Sequence, residues 1–212
     1  MLRIPAMGIG FELDIDHSEI YGYLSHGEPA HSPTWSVSVQ CGPAHLLPLE
    51  DESEEDLRER REWFEFASGE GCHASVSGLV IPVKSWRDLA GQRVSAEFEH
   101  SHPIMPHVPG EFYFEAHHWL ANRNQIEFGS RRNNVFPIRW NFMAEDDEGN
   151  TSEVEVEADI PFRSFRVGFE KPGELSVPAA VQAVTRFAAE DELGEPSESF
   201  GRYVDIPLLG DD

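Results

Sequence analysis

Lysine is nearly missing from this chain: Lys84 and Lys171 are the only two in 212 residues. All basic residues together number 16 against 39 acidic ones, a formal net charge of −23. Such a surface repels phosphate backbones and anionic bilayers, which disfavours nucleic acid and membrane partners and favours basic proteins. Cysteine is equally scarce. Cys41 and Cys72 are too few for a disulfide scaffold, and they read as reduced, buried, small apolar residues. No apolar run approaches the roughly 20 residues of a membrane span. Residues 1–5 lead into an alternating pattern without an apolar stretch of signal-peptide length, so the expected location is the cytoplasm. Also absent are the Gly-x-Ser-x-Gly elbow, the phosphate-cradling Gly-rich loop ending in Lys-Ser/Thr, the dinucleotide fingerprint and the His-Glu-x-x-His helix. Those absences lower the weight of common hydrolases, nucleotide-binding enzymes and zinc proteases.

What the chain has in abundance is the two-residue rhythm of half-buried strands, carried by 14 Phe and 5 Trp. Phe136, Ile138, Trp140 and Phe142 alternate with Pro137, Arg139 and Asn141. Phe112, Phe114, Ala116 and Leu120 share a face upstream, and Asn122, Arg123 and Asn124 suit a chain reversal between them and a strand from Gln125 to Phe128. The stretch 111–142 therefore predicts a three-stranded antiparallel meander. Ile9, Phe11, Leu13 and Ile15 alternate with polar residues, and residues 20–25 read as the second arm of a hairpin reached through His17 and Ser18. Trp35, Val37, Val39 and Cys41 continue the rhythm until Gly42 and Pro43, which are expected to end that strand. Val154, Val156, Ala158 and Ile160 alternate with Glu153, Glu155, Glu157 and Asp159, so every outward position there is acidic.

Helices are expected at two places. Ser53 followed by acidic residues is a helix start, because its hydroxyl accepts from an early backbone N–H and the acids meet the positive end of the helix dipole; Gly69 stops the helix after residues 53–68. Val177, Val181, Val184 and Phe187 form one stripe, predicting a helix over 177–190 that is followed by an acidic linker near 190–199. About nine to eleven short strands with two helices predict an all-β or β-rich α+β fold: an antiparallel β-sandwich or a strongly bent sheet with two peripheral helices, in a single domain spanning 1–212.

Several clusters carry possible chemistry. His100 and His102 share a strand face and His107 follows across a short loop, a set that offers three imidazoles to a divalent transition metal. His117 and His118 are strand neighbours, so they point to opposite sides. Asp14, Asp16 and His17 read as polar positions of a strand whose other face is apolar. Cys72 and His73 face away from each other on an extended chain. Arg131 and Arg132, with Arg123 and Arg139, form a small basic island whose simplest role is pairing with acidic neighbours.

The function expected from these observations is a non-enzymatic, acidic protein-binding module of the inhibitor or immunity type that neutralises a basic protein partner. Asp51, Glu52, Glu54 and Glu55 at the first helix, and Asp146, Asp147 and Glu148 at a turn, are the candidate partner-binding residues, with no cofactor. The alternative is a metal-dependent β-sandwich enzyme that uses His100, His102 and His107 on a small molecule.

Overall fold

The computed structural model describes residues 1–26, 33–47, 49, 52–67, 72–97, 110–114, 117–146, 148–170 and 174–209. In chain order the strands are β1 (Leu2–Ile4), β2 (Ile9–Ser25), β3 (Thr34–Leu46), β4 (Cys72–Val80), β5 (Arg93–Ala96), β6 (Gly110–Phe114), β7 (His117–Phe128), β8 (Val135–Glu145), β9 (Thr151–Gly168), β10 (Ser197–Ser199) and β11 (Tyr203–Pro207). Among the described residues two helices, α1 (Glu54–Ala67) and α2 (Val177–Val184), accompany the strands together with short 3₁₀ turns. All eleven strands belong to one sheet, the bent-sheet form of the expected fold.

The sheet closes on itself. Antiparallel ladders run through β2, β3, β4, β6, β7, β8 and β9, and a parallel ladder then joins β9 back to β2. Strand β9 is the seam. Its first half lies between β8 and β1, and its second half between β11 and β2. The enclosed face carries the bulky residues of the alternating pattern: Phe136, Ile138, Trp140, Phe142 and Ala144 of β8 are all at most 2% exposed. Aromatic rings fill the middle edge to face, with Phe112 against Phe142 at 5.7 Å and Phe11 against Phe114 at 5.7 Å. Each large side chain buried this way contributes about 1.5–3 kcal/mol. A lumen packed with rings leaves the outer face and the connections for function.

Bulges bend the sheet. On β2, residues 15–18 stand opposite the single residue Val39, so the expected hairpin is instead one 17-residue strand with an excursion in it. Ile15, which the alternation places on the core, is 39% exposed there. On β9, Arg163 is skipped between the Ile20–Phe162 and Tyr21–Ser164 pairs. Its guanidinium donates to the carbonyls of Ile15 (3.0 Å), Asp16 (2.8 Å) and Ser18 (3.2 Å), satisfying groups that the ladder leaves open. The Ser18 hydroxyl donates to the Asp14 carbonyl and accepts from the Gln40 N–H, which explains a fully buried serine.

Two other boundaries differ from the expectation for the same reason. Strand β3 runs through Gly42 and Pro43 because these two residues face Glu12 alone, in a bulge where proline's missing N–H costs no ladder bond. Residues 122–124 are not a reversal: Arg123 and Asn124 oppose Phe142 alone, a bulge inside β7, with Arg123 at φ 49°. The final strand, β11, lies between β9 and β10, and β10 falls in the predicted linker.

Ser53 caps α1 reciprocally with Asp56, its hydroxyl accepting from the Asp56 N–H at 3.2 Å while the Asp56 carboxylate accepts from the Ser53 hydroxyl at 2.6 Å. Arg60 then fastens the helix to the sheet. It donates to the carbonyls of Gly8 (2.7 Å) and Leu47 (3.1 Å) and forks onto Glu52 at 2.5 and 2.6 Å. Packed on β9 and β11, α2 buries Ala180 and Val184, and Phe187 sits 6.5 Å from Phe165 of β9. Trp86, in a 3₁₀ turn, stacks on Phe162 at 5.2 Å and donates its backbone N–H to the Phe187 carbonyl.

Candidate functional site

The outer surface of β5, β7, β8 and β9 carries a row of charges in register. Arg93 faces Glu127, Glu127 faces Arg139, and Arg139 faces Glu157 across successive ladders. Two of these pairs close: Arg93 to Glu127 at 2.9 Å and Arg139 to Glu157 at 3.2 Å. Alternating signs at cross-strand positions stabilise the pairing of the strands, though pairs this exposed contribute little each.

Beside this row the surface dips into a depression of about 560 Å³ between β7, β8 and β9. Its walls include Glu127, Glu157 and Asp159 but only one cation, Arg139. Asp159 lies opposite Pro137, and it makes no ion pair with a described residue. Two positions along the same face from Glu155, Glu153 lies opposite Met143 and likewise has no ion pair with a described residue. Glu155 and Glu157 each have a cationic ladder partner, Arg3 of β1 and Arg139 of β8. The acidic outward positions of β9 thus exceed the cations paired with them, and of the two left over, Asp159 lines the depression while Glu153 lies farther along the strand.

A second polar group lies on the outer face of β4, β6 and β7. His73, Tyr113 and His118 are successive cross-strand partners. The His73 ring stacks on Tyr113 at 5.4 Å, and His118 meets the same ring edge-on at 5.0 Å. Glu111, two residues before Tyr113, hydrogen-bonds His118 and lies 3.7 Å from His73. The tyrosine ring keeps the imidazoles apart, and among the described residues no group of three His, Cys, Asp or Glu could hold a metal ion.

The sequence-predicted residues separate into distinct environments. Asp51, Asp147, His100, His102 and His107 lie outside the described residues. Glu52 is committed to Arg60: its carboxyl is held below the ordinary glutamate range by the Arg60 hydrogen bond, and the pair's side chains are only 10% and 12% exposed. Asp146 shapes its turn, accepting from the N–H groups of Glu148 (2.9 Å) and Asn150 (2.8 Å) and from the Asn150 side chain, which holds its carboxyl below the usual aspartate range. Glu54, Glu55 and Glu148 are exposed, and Glu55 approaches Arg58 at 3.4 Å. They sit on separate elements from the β7–β9 depression. His117 and His118 are both exposed.

The basic island disperses. Arg139 pairs with Glu157, Arg123 with Glu97 at 3.6 Å, and Arg131 lies over the Trp86 ring at 5.1 Å. The exposed carboxylate Asp14 accepts from His17, 2.8 Å away across the β2 excursion, and that hydrogen bond holds its carboxyl below the usual range. The alternation of 153–159 already showed the acidic stripe. Its meeting with Glu127 and Arg139 follows only from strand order.

The class defined here is a closed β-rich sheet with a ring-filled interior and an acid-excess outer face. Comparison with protein-family models, curated proteins and solved structures finds no match for the chain. Among the described residues no helix is long and apolar enough to cross a membrane.

Proposed function

We propose that this chain is a non-enzymatic binding module that docks a basic protein on the acidic outer face of β8 and β9, in the manner of an inhibitor or immunity-type protein. The observation that carries this reading is the β7–β9 depression, where Glu127 and Glu157 are paired with Arg93 and Arg139 while Asp159 makes no ion pair with a described residue. A lysine or arginine side chain from a partner fits a concavity of that chemistry, and an arginine would meet a carboxylate through paired N–H donors. The net charge of −23 supplies the long-range attraction. Such fields raise encounter rates about 10- to 1,000-fold, an advantage that fades as the Debye length shrinks to about 10 Å at 0.1 M salt.

The test is capture from a lysate of the native host at low salt, with the parent protein and a Glu153→Lys/Asp159→Lys variant immobilised side by side. Neither residue has an ion pair with a described residue for the variant to break. Basic proteins retained by the parent, released by salt and missed by the variant are the expected result. Equal retention by both proteins, or retention indifferent to salt, removes the reading.

A further inference from the structure

Cys41 and Cys72 are 31 residues apart in the chain, yet they meet across the β3–β4 ladder one step beyond the Gln40–His73 pair, with their Sγ atoms 2.8 Å apart. Both are free thiols in this structure. We propose that Cys41 and Cys72 are a peroxide-responsive pair that closes into an intramolecular disulfide. This is independent of the docking reading and concerns the opposite side of the strand order from the β7–β9 depression.

Geometry comes first. Opposed residues on antiparallel strands have Cα atoms about 4.5–5.5 Å apart, inside the roughly 4.4–6.8 Å that a disulfide spans. The two thiols are also unequal. Cys72 is 1% exposed beneath the outer face, whereas Cys41 is partly exposed, so a reagent in solution reaches Cys41 first. Burial and the contact with Cys41 push the Cys72 thiol far above its ordinary range, which keeps it protonated and inert towards outside oxidants.

The sequence of steps balances with hydrogen peroxide as the oxidant. The Cys41 sulfur attacks one peroxide oxygen, the O–O bond breaks, and water leaves, giving a sulfenic acid on Cys41. The Cys72 sulfur then attacks the Cys41 sulfur and the S–O bond breaks. The departing oxygen leaves as a second water, which takes the Cys72 proton. Two thiols lose two electrons and peroxide gains them. The new bond ties off the base of the segment that carries α1, since that helix lies between the two cysteines in the chain.

The full chain treated with a small excess of hydrogen peroxide should form no covalent dimer and lose about 2 Da by intact mass. Its two thiols should vanish from a titration under denaturing conditions and return with reductant. Closing this loop should raise the melting temperature by roughly 5–10 °C. Cys41→Ser should keep one titratable thiol through the same treatment. Cys72→Ala, which lacks the second sulfur, should stop at a Cys41 sulfenic acid that dimedone captures, so either variant suffices if the other does not fold. Thiols that survive peroxide in the parent, a gain of oxygen mass instead of the loss, or a covalent dimer would each overturn the proposal.

Discussion

Asn124 shows how much one side chain decides. It is 1% exposed, accepts the Trp140 indole N–H at 2.9 Å, and donates to the Ala121 carbonyl at 2.8 Å. Replacement by leucine leaves the indole N–H of a fully buried tryptophan without an acceptor, a loss of about 1–3 kcal/mol. Urea unfolding should show that loss for Asn124→Leu, and part of it should return in Asn124→Leu/Trp140→Phe, where no donor is stranded. An unchanged midpoint in the single variant would contradict the role. The polar triplet around Asn124 reads as a reversal because asparagine and a left-handed residue suit turns and bulges alike. The distinction lies in Phe142 across the ladder, which local sequence does not encode.

At the scale of elements, α1 was legible and its seat was not. Ser53, Asp56 and the acids of the first turn announce the helix start through local chemistry alone. The anchor is Arg60, whose acceptors lie on segments 13 and 52 residues away in the chain. Arg60→Met should therefore speed amide exchange across 54–67 by roughly tenfold or more, while exchange in β8 stays as it was. Acid should have a similar local effect. The Glu52 carboxyl is depressed by Arg60, so its contribution is complete above the unfolded glutamate range and is lost as pH falls through the lower folded value. Protection of α1 should fade in that acidic window, and Glu52→Gln should abolish the pH dependence. The second helix is shorter than its apolar stripe: α2 ends at Val184, and a following turn still brings Phe187 against the core.

For the whole molecule, closure at the β2–β9 seam is the deciding event. Gly22 lies between Trp35 on β3 and Phe165 on β9, and a Cβ there would stand 2.7 Å from the Phe165 ring. Gly22→Ala should destabilise the protein by about 1–3 kcal/mol through overpacking, lowering the melting temperature by roughly 2–4 °C for each kcal/mol. A melting temperature equal to the parent's would mean that the seam yields without cost.

Sequence alone determined the strand rhythm, the two helix sites, the inward rings of 136–142 and the outward acids of 153–159, because a side chain's face follows from a two-residue period that each segment carries by itself. It could not decide which segments are neighbours. Joining the ends of β2 and β9, placing Cys41 on Cys72, seating Arg60 on Gly8 and gathering Glu127, Arg139, Glu157 and Asp159 around one depression all depend on pairing between distant strands. That pairing is set by how the bulky faces fill a common interior, and the bulges that shift register there answer to partners across the ladder rather than to neighbours along the chain.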